Sequence, residues 1–109
     1  LTSRQDDRLR ERHFGAWEGR SWDSVYQEDR RNLDRLIEEP ETFAPPGGET
    51  TMVLRDRVLA WYRALPSEPR VMAVTHGGPM AVLLGTFQGR CPAEWPRLVP
   101  PLGASAERP

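Results

Sequence analysis

The run Arg70-Val71-Met72-Ala73-Val74-Thr75-His76-Gly77-Gly78-Pro79-Met80 constrains this chain more than any other segment. Four consecutive apolar residues bounded by breakers suit a central strand covered on both faces, although so short a run also fits a buried helical segment. The Gly-Gly-Pro that follows favours the strand. Two glycines permit a tight turn and close approach of backbone to a ligand, and Pro79 is well placed at the first position of a helix. Met80, Val82, Leu83, Leu84 and Phe87 then predict a helix that is apolar on most faces, as one packed on a sheet would be, with Gly89 as its stop. Strand, turn and helix in that order imply an α/β fold.

With 109 residues the chain has room for one domain. Residues 1 to 20 read as a charged loop around Phe14, Trp17 and, just beyond, Trp22, interrupted by Gly15 and Gly19. From Ser21, a natural N-cap with Asp23 in the first turn, the residues Trp22, Tyr26, Asp29, Leu33 and Ile37 step by fours and threes and predict a helix facing a core. Glu38-Glu39-Pro40 ends it, and Thr42 to Gly48 forms a loop. Leu54, Val58, Trp61 and Leu65 mark a second helix, with Arg55, Asp56, Arg57 and Arg63 on its other faces, until Pro66. The tail from Pro92 holds five prolines, which predicts a helical turn around Trp95 and then irregular chain over 92–109. No repeat or internal boundary divides residues 1–109.

Charge and cysteine content narrow the functional classes. All 15 basic residues are arginine against 16 acids, a net charge of -1 that argues against a nucleic-acid binder. The first 35 residues, rich in arginine, balance eight Arg with eight Asp or Glu. No stretch approaches the roughly 20 apolar residues of a membrane span. The single Cys91 forms no internal disulfide framework, which fits a reducing cytoplasm; the sequence shows no signal peptide, but it begins at Leu1 rather than Met, which leaves a lost targeting segment as an alternative. Two histidines and one cysteine show no zinc spacing, so no metal is implied, and no cofactor is assigned.

A histidine at the end of a strand, followed by glycines and a helix, sits at the sheet edge where α/β folds bind ligands. The helix N-terminus offers free N–H groups to an anion such as phosphate. The competing reading is a capping or hydrogen-bonded structural histidine. Neither a P-loop nor a dinucleotide fingerprint is present. The second candidate is Leu9-Arg10-Glu11-Arg12-His13-Phe14-Gly15-Ala16-Trp17-Glu18-Gly19, which by composition alone is a charged loop with an aromatic anchor.

Taken in order, that run, Pro-Gly-Gly-Glu at 46–49 and Val-Thr-His-Gly-Gly at 74–78 resemble the histidine phosphatase superfamily, the phosphoglycerate mutase-like proteins. The resemblance covers about residues 7–88 and looks closer to small phosphatases, including α-ribazole phosphatase-like members, than to mutases. It implies a three-layer α/β/α fold and a phosphorylated small-molecule substrate. His76 matches the second active-site histidine, which helps hold the phosphoryl group. Glu11 matches the acid that protonates the leaving oxygen. Gly77 and Gly78 belong to the phosphate-binding turn, and His13 and Glu49 lie where they could line the substrate site, while Phe14 and Trp17 anchor the Glu11 loop.

One motif of the family does not occur: the sequence contains no Arg-His-Gly, the segment that carries the nucleophilic histidine. The resemblance is therefore to the C-terminal portion of such a protein, with the first strand and its helix missing. Val71–Val74 is expected to have an unpaired edge, and the isolated chain to fold marginally and be inactive. The alternatives are a non-catalytic phosphate- or partner-binding remnant, or one half of a split enzyme completed by an N-terminal segment. A homodimer could also cover the edge.

Overall fold

Ser21 opens the first helix as its chemistry dictates. Its backbone is extended and its Oγ accepts the Ser24 N–H at 3.1 Å. Helix α1 then runs Trp22–Glu38 in the computed structural model, which describes residues 3–67 and 70–107. Its buried face matches the predicted one only in part. Leu33 packs inward as expected, but Trp22, Tyr26 and Ile37 are exposed, and Val25 and Leu36, each one residue before Tyr26 and Ile37, meet Trp17 and Phe43 instead. Asp29, at φ −149° and ψ 46°, kinks the helix, and the Asn32 side chain donates to its carboxylate at 3.0 Å.

Helix α2 spans Thr51–Arg63 and is capped by Thr50, whose hydroxyl accepts the Val53 N–H at 3.0 Å. Leu54, Val58 and Leu59 are buried along it, with Trp61 and Leu65 only half-buried, and it ends just ahead of Pro66. Helix α3 spans Gly77–Phe87 and starts two residues earlier than Pro79 suggested. Pro79 therefore stands at the third helical position, where its missing N–H still costs no intrahelical bond because the first four have none. Gly89, at φ 66°, turns the chain out of α3 while the Arg90 N–H donates to the Gly85 carbonyl at 2.9 Å.

The helical turn expected at Trp95 is a 3₁₀ segment, Pro92–Leu98. It lays the Trp95 indole against Gly85 of α3, so closely that a Cβ there would stand 2.7 Å from the ring Cγ and nearer still to Cδ1 and Nε1. The indole N–H donates to the Arg90 carbonyl at 3.0 Å, so the ring is buried without an orphaned polar group. Trp95, Leu54, Val58 and Val82 form one core, flanked by Leu9, Met52, Leu83 and Leu98. A second core joins Trp17, Val25 and Phe43 beneath α1, with Phe14, Leu33 and Leu36 around it. The body that holds these two cores is elongated, 47 × 28 × 23 Å.

The expected three-layer α/β/α sandwich is not formed. Among the described residues there is no strand and no sheet, only the three α-helices and short 3₁₀ segments. Val71–Val74, predicted to be a strand covered on both faces, lies open to solvent, with Val74 91% exposed and Met72 92%. The physical reason is pairing. A strand exists only through ladder hydrogen bonds to a neighbour, and no backbone–backbone bond among the described residues involves 70–75. Apolar composition marks the segment as suited to a sheet but supplies no partner for it.

Candidate active site

The site is built on the loop that leaves the 3₁₀ turn Asp7–Leu9. Asp6 caps this turn through its carboxylate, which accepts the Arg8 N–H at 2.9 Å. Beyond it the carbonyls of four consecutive residues, Arg8 to Glu11, are each held by a side-chain donor from a distant element. Arg57 of α2 donates from Nη1 to the Arg8 and Arg10 carbonyls at 2.9 and 2.8 Å, and from Nη2 to the Glu11 carbonyl at 2.9 Å. The Leu9 carbonyl accepts from the Thr75 hydroxyl at 2.6 Å and faces His76 Nδ1 at 3.2 Å.

Arg57 spends its two remaining N–H bonds on Glu49. Nε donates to Oε2 and Nη2 to Oε1, both at 2.9 Å, and each side chain is only 14% exposed. All five guanidinium N–H bonds are thereby used, the full capacity of the group. Glu49 Oε1 also accepts the His13 N–H at 2.8 Å, while the Glu49 N–H donates to the His13 carbonyl at 2.8 Å. The Arg57 hydrogen bonds first, and the His13 N–H after them, hold the Glu49 carboxyl below its ordinary value against the opposing effect of burial. Arg12 runs alongside, donating to the Thr51 hydroxyl at 2.9 Å and the Glu49 carbonyl at 3.3 Å. Burial pushes its guanidinium below the usual arginine value.

Held in this way, Glu11 projects its carboxylate onto the start of α3. Oε1 accepts the Arg12 N–H at 2.8 Å and Oε2 the Gly78 N–H at 3.2 Å. Gly78 is required here for space. A Cβ at this position would overlap Glu11 Oε1, and its Cδ at 3.1 Å. Neither Gly77 nor Gly78 has a positive φ, so the tight turn expected of them is absent and their service is close approach alone. At Gly77 a Cβ would stand 2.7 Å from the Val99 side chain. His76 precedes them with extended backbone and an exposed ring. Because a carbonyl only accepts, Nδ1 facing Leu9 carries a proton, and Nε2 is the ring nitrogen left to a ligand.

Residues 11 and 78, 67 positions apart, are thus in direct contact, and Leu9 ties His76 to the same loop. His13 meets this assembly through its backbone, with an exposed side chain, and the Glu49 carboxylate is taken up by Arg57 and His13. Among the described residues no group of three or more His, Cys, Asp or Glu could hold a metal ion. No helix among them is long and apolar enough to cross a membrane.

An acid-bearing loop thus sits against the N-terminus of the helix that follows His76. Residues 1–106 match the histidine phosphatase superfamily (branch 1), and the chain belongs to it. Among curated relatives, the protein named "Probable phosphoglycerate mutase GpmB" from Salmonella paratyphi B is 36% identical over 87 residues, 77% of this chain and 40% of the relative. Its namesake from Salmonella newport matches to the same extent. Among solved structures, Bacillus stearothermophilus YhfR superimposes with a TM-score of 0.75 at 31% identity, covering 89% of this chain and 48% of that one. A mycobacterial glucosyl-3-phosphoglycerate phosphatase in complex with inorganic phosphate gives 0.66 at 31% identity, over 89% and 52%. The chain spans about half the length of these structures and 40% of the curated relatives.

The sequence reading named Glu11 and His76 but missed Arg57, Thr75 and the acceptor carbonyls. Arg57 lies beside the apolar stripe of α2, between Leu54 and Val58, where an arginine is hard to tell from a solvated one. The available signal was an acid at the helix entrance, Glu49, eight residues before a base that can fold back onto it.

Proposed function

We propose that this chain carries the acid and phosphoryl-anchoring half of a phosphomonoester hydrolase site. The observation that carries the reading is the Glu11 carboxylate resting on the Gly78 N–H at the head of α3, directly after His76. A phosphoryl oxygen beside this carboxylate would meet the Gly77 N–H, the one at the helix start that neither Glu11 nor Pro79 removes, and His76 Nε2. Protonated Glu11 would deliver its proton to the ester oxygen as the P–O bond breaks, so that the product leaves as a neutral alcohol. The electron pair that attacks phosphorus must come from an imidazole in an Arg-His-Gly segment, since neither histidine here has that context, His13 being followed by Phe and His76 preceded by Thr. Water then cleaves the phosphohistidine and releases inorganic phosphate. Hydrolysis is preferred to mutase chemistry, which would need the phosphoryl group to be retained and handed back.

Binding of phosphate without turnover is the second reading, favoured by the missing Arg-His-Gly. One set of experiments separates them. Inorganic phosphate titrated into the chain should shift the Gly77, Gly78 and His76 resonances, and His76→Ala should abolish the effect. Nitrophenyl phosphate should be hydrolysed only after an Arg-His-Gly-bearing segment is supplied, and Glu11→Gln should remove that activity. Phosphate that leaves all three residues unmoved would refute both readings, and hydrolysis by the chain alone that survives Glu11→Gln would refute the roles given to these residues.

A further inference from the structure

We propose that Arg57 is a positioning residue for the Glu11 carboxyl, acting through the backbone of the loop with Glu49 as its counter-ion. The inference rests on Glu11 being the acid of the proposed site. Three of the four consecutive carbonyls from Arg8 to Glu11 depend on this one guanidinium, and the last of them belongs to Glu11 itself. A planar fork with five donors fixes the spacing of its acceptors, whereas a lysine ammonium in the same place has three donors at a single point and cannot span carbonyls of residues 8, 10 and 11 together. Glu49 completes the arrangement from the other side. It neutralises the fork and, through the His13 N–H, pins the chain just past Glu11, so the acid is bracketed front and back by one ion pair. Gly78 then has a carboxylate delivered to it at a fixed height, and its own lack of a side chain leaves the space.

The Gly78 amide reports the position of that carboxylate without any need for turnover. In the wild-type chain its resonance should shift as Glu11 titrates, and Glu11→Gln should remove the step. In Arg57→Lys and Arg57→Met the step should be lost or strongly reduced while the Trp95 indole N–H keeps its wild-type shift, which shows the core intact. A Gly78 titration unchanged in both variants overturns the proposal, as does its absence from the wild type. Collapse of both variants, seen as loss of the Trp95 signal, also overturns it, because Arg57 would then serve the fold and not the acid. The phosphate titration stands apart from these readouts. Loss of the Gly78 step in the variants, with no phosphate binding by the wild type, would leave the positioning role in place and remove the phosphoryl-site reading.

Discussion

Replacing Gly85 with alanine sets two effects of opposite sign against each other. In an exposed helix interior the change stabilises by about 1 kcal/mol, because glycine has the larger conformational entropy to lose. Here the new Cβ would fall 2.7 Å from Trp95 Cγ and closer to Cδ1 and Nε1, well inside the 3.5–4.0 Å at which carbon atoms attract. The indole cannot yield easily, being buried among Leu54, Val58 and Val82 and tied to the Arg90 carbonyl. Overpacking of this kind costs up to about 3 kcal/mol, so the net change should be a loss of about 2 kcal/mol. In urea, at a slope between about 1 and 3 kcal/mol/M, the midpoint should fall by about 1 M. In a Trp95→Leu background the overlap disappears, and Gly85→Ala should stabilise by about 1 kcal/mol, a coupling of about 3 kcal/mol across the cycle. A single Gly85→Ala variant more stable than the wild type would refute the reasoning, since the 3₁₀ segment could not then be seated on α3 as described.

Val58→Ala, at a fully buried position, should cost about 2–3 kcal/mol, whereas Val74→Ala, 91% exposed, should change stability by less than about 0.5 kcal/mol; equal costs in urea denaturation would mean that Val74 is covered. The Glu49 carboxyl titrates below its ordinary value of 4.5 in the folded chain, so its contribution to stability is complete above that value and is lost as pH falls through the lowered one. Glu49→Gln should flatten this acid limb of a stability–pH curve, and an unaltered limb would show that the ion pair does not form. Gly78→Ala should leave the thermal midpoint nearly unchanged but move the Arg12 amide resonance, because the Cβ displaces the Glu11 oxygen that this N–H binds.

Local signals read well in this sequence because their physics is local. Ser21 caps α1 through its own hydroxyl, Pro66 lies just past the end of α2, and the glycine at 89 takes the positive φ that ends α3. Relations between distant segments were not legible in the same way. Val71–Val74 has the composition of a buried strand, yet a strand is defined by its neighbours, and composition does not name them. On α1 the pattern picks out Leu33 but not Val25 or Leu36, because which flank of an amphipathic stripe is covered depends on where Trp17 and Phe43 lie, and periodicity does not state that. Glu11 and His76 stood out through motifs, whereas Arg57 acts on carbonyl oxygens, which every residue possesses and no sequence marks.

The bonds that Arg57, Thr75 and Gly78 make to residues 8 to 11 of the acid loop link positions 46 to 67 apart. That separation sets an order of events when the chain is made. The loop around Glu11 leaves the ribosome ahead of its partners: α2 must follow before the Arg57 fork exists, and residues 75 to 78 must emerge before Leu9 and Glu11 find their last partners. Closing such distances carries an entropy cost that local helix formation does not, so α1, α2 and α3 can form while the acid loop is still unsettled. The segment that carries the acid is therefore expected to settle only after the helices that hold it.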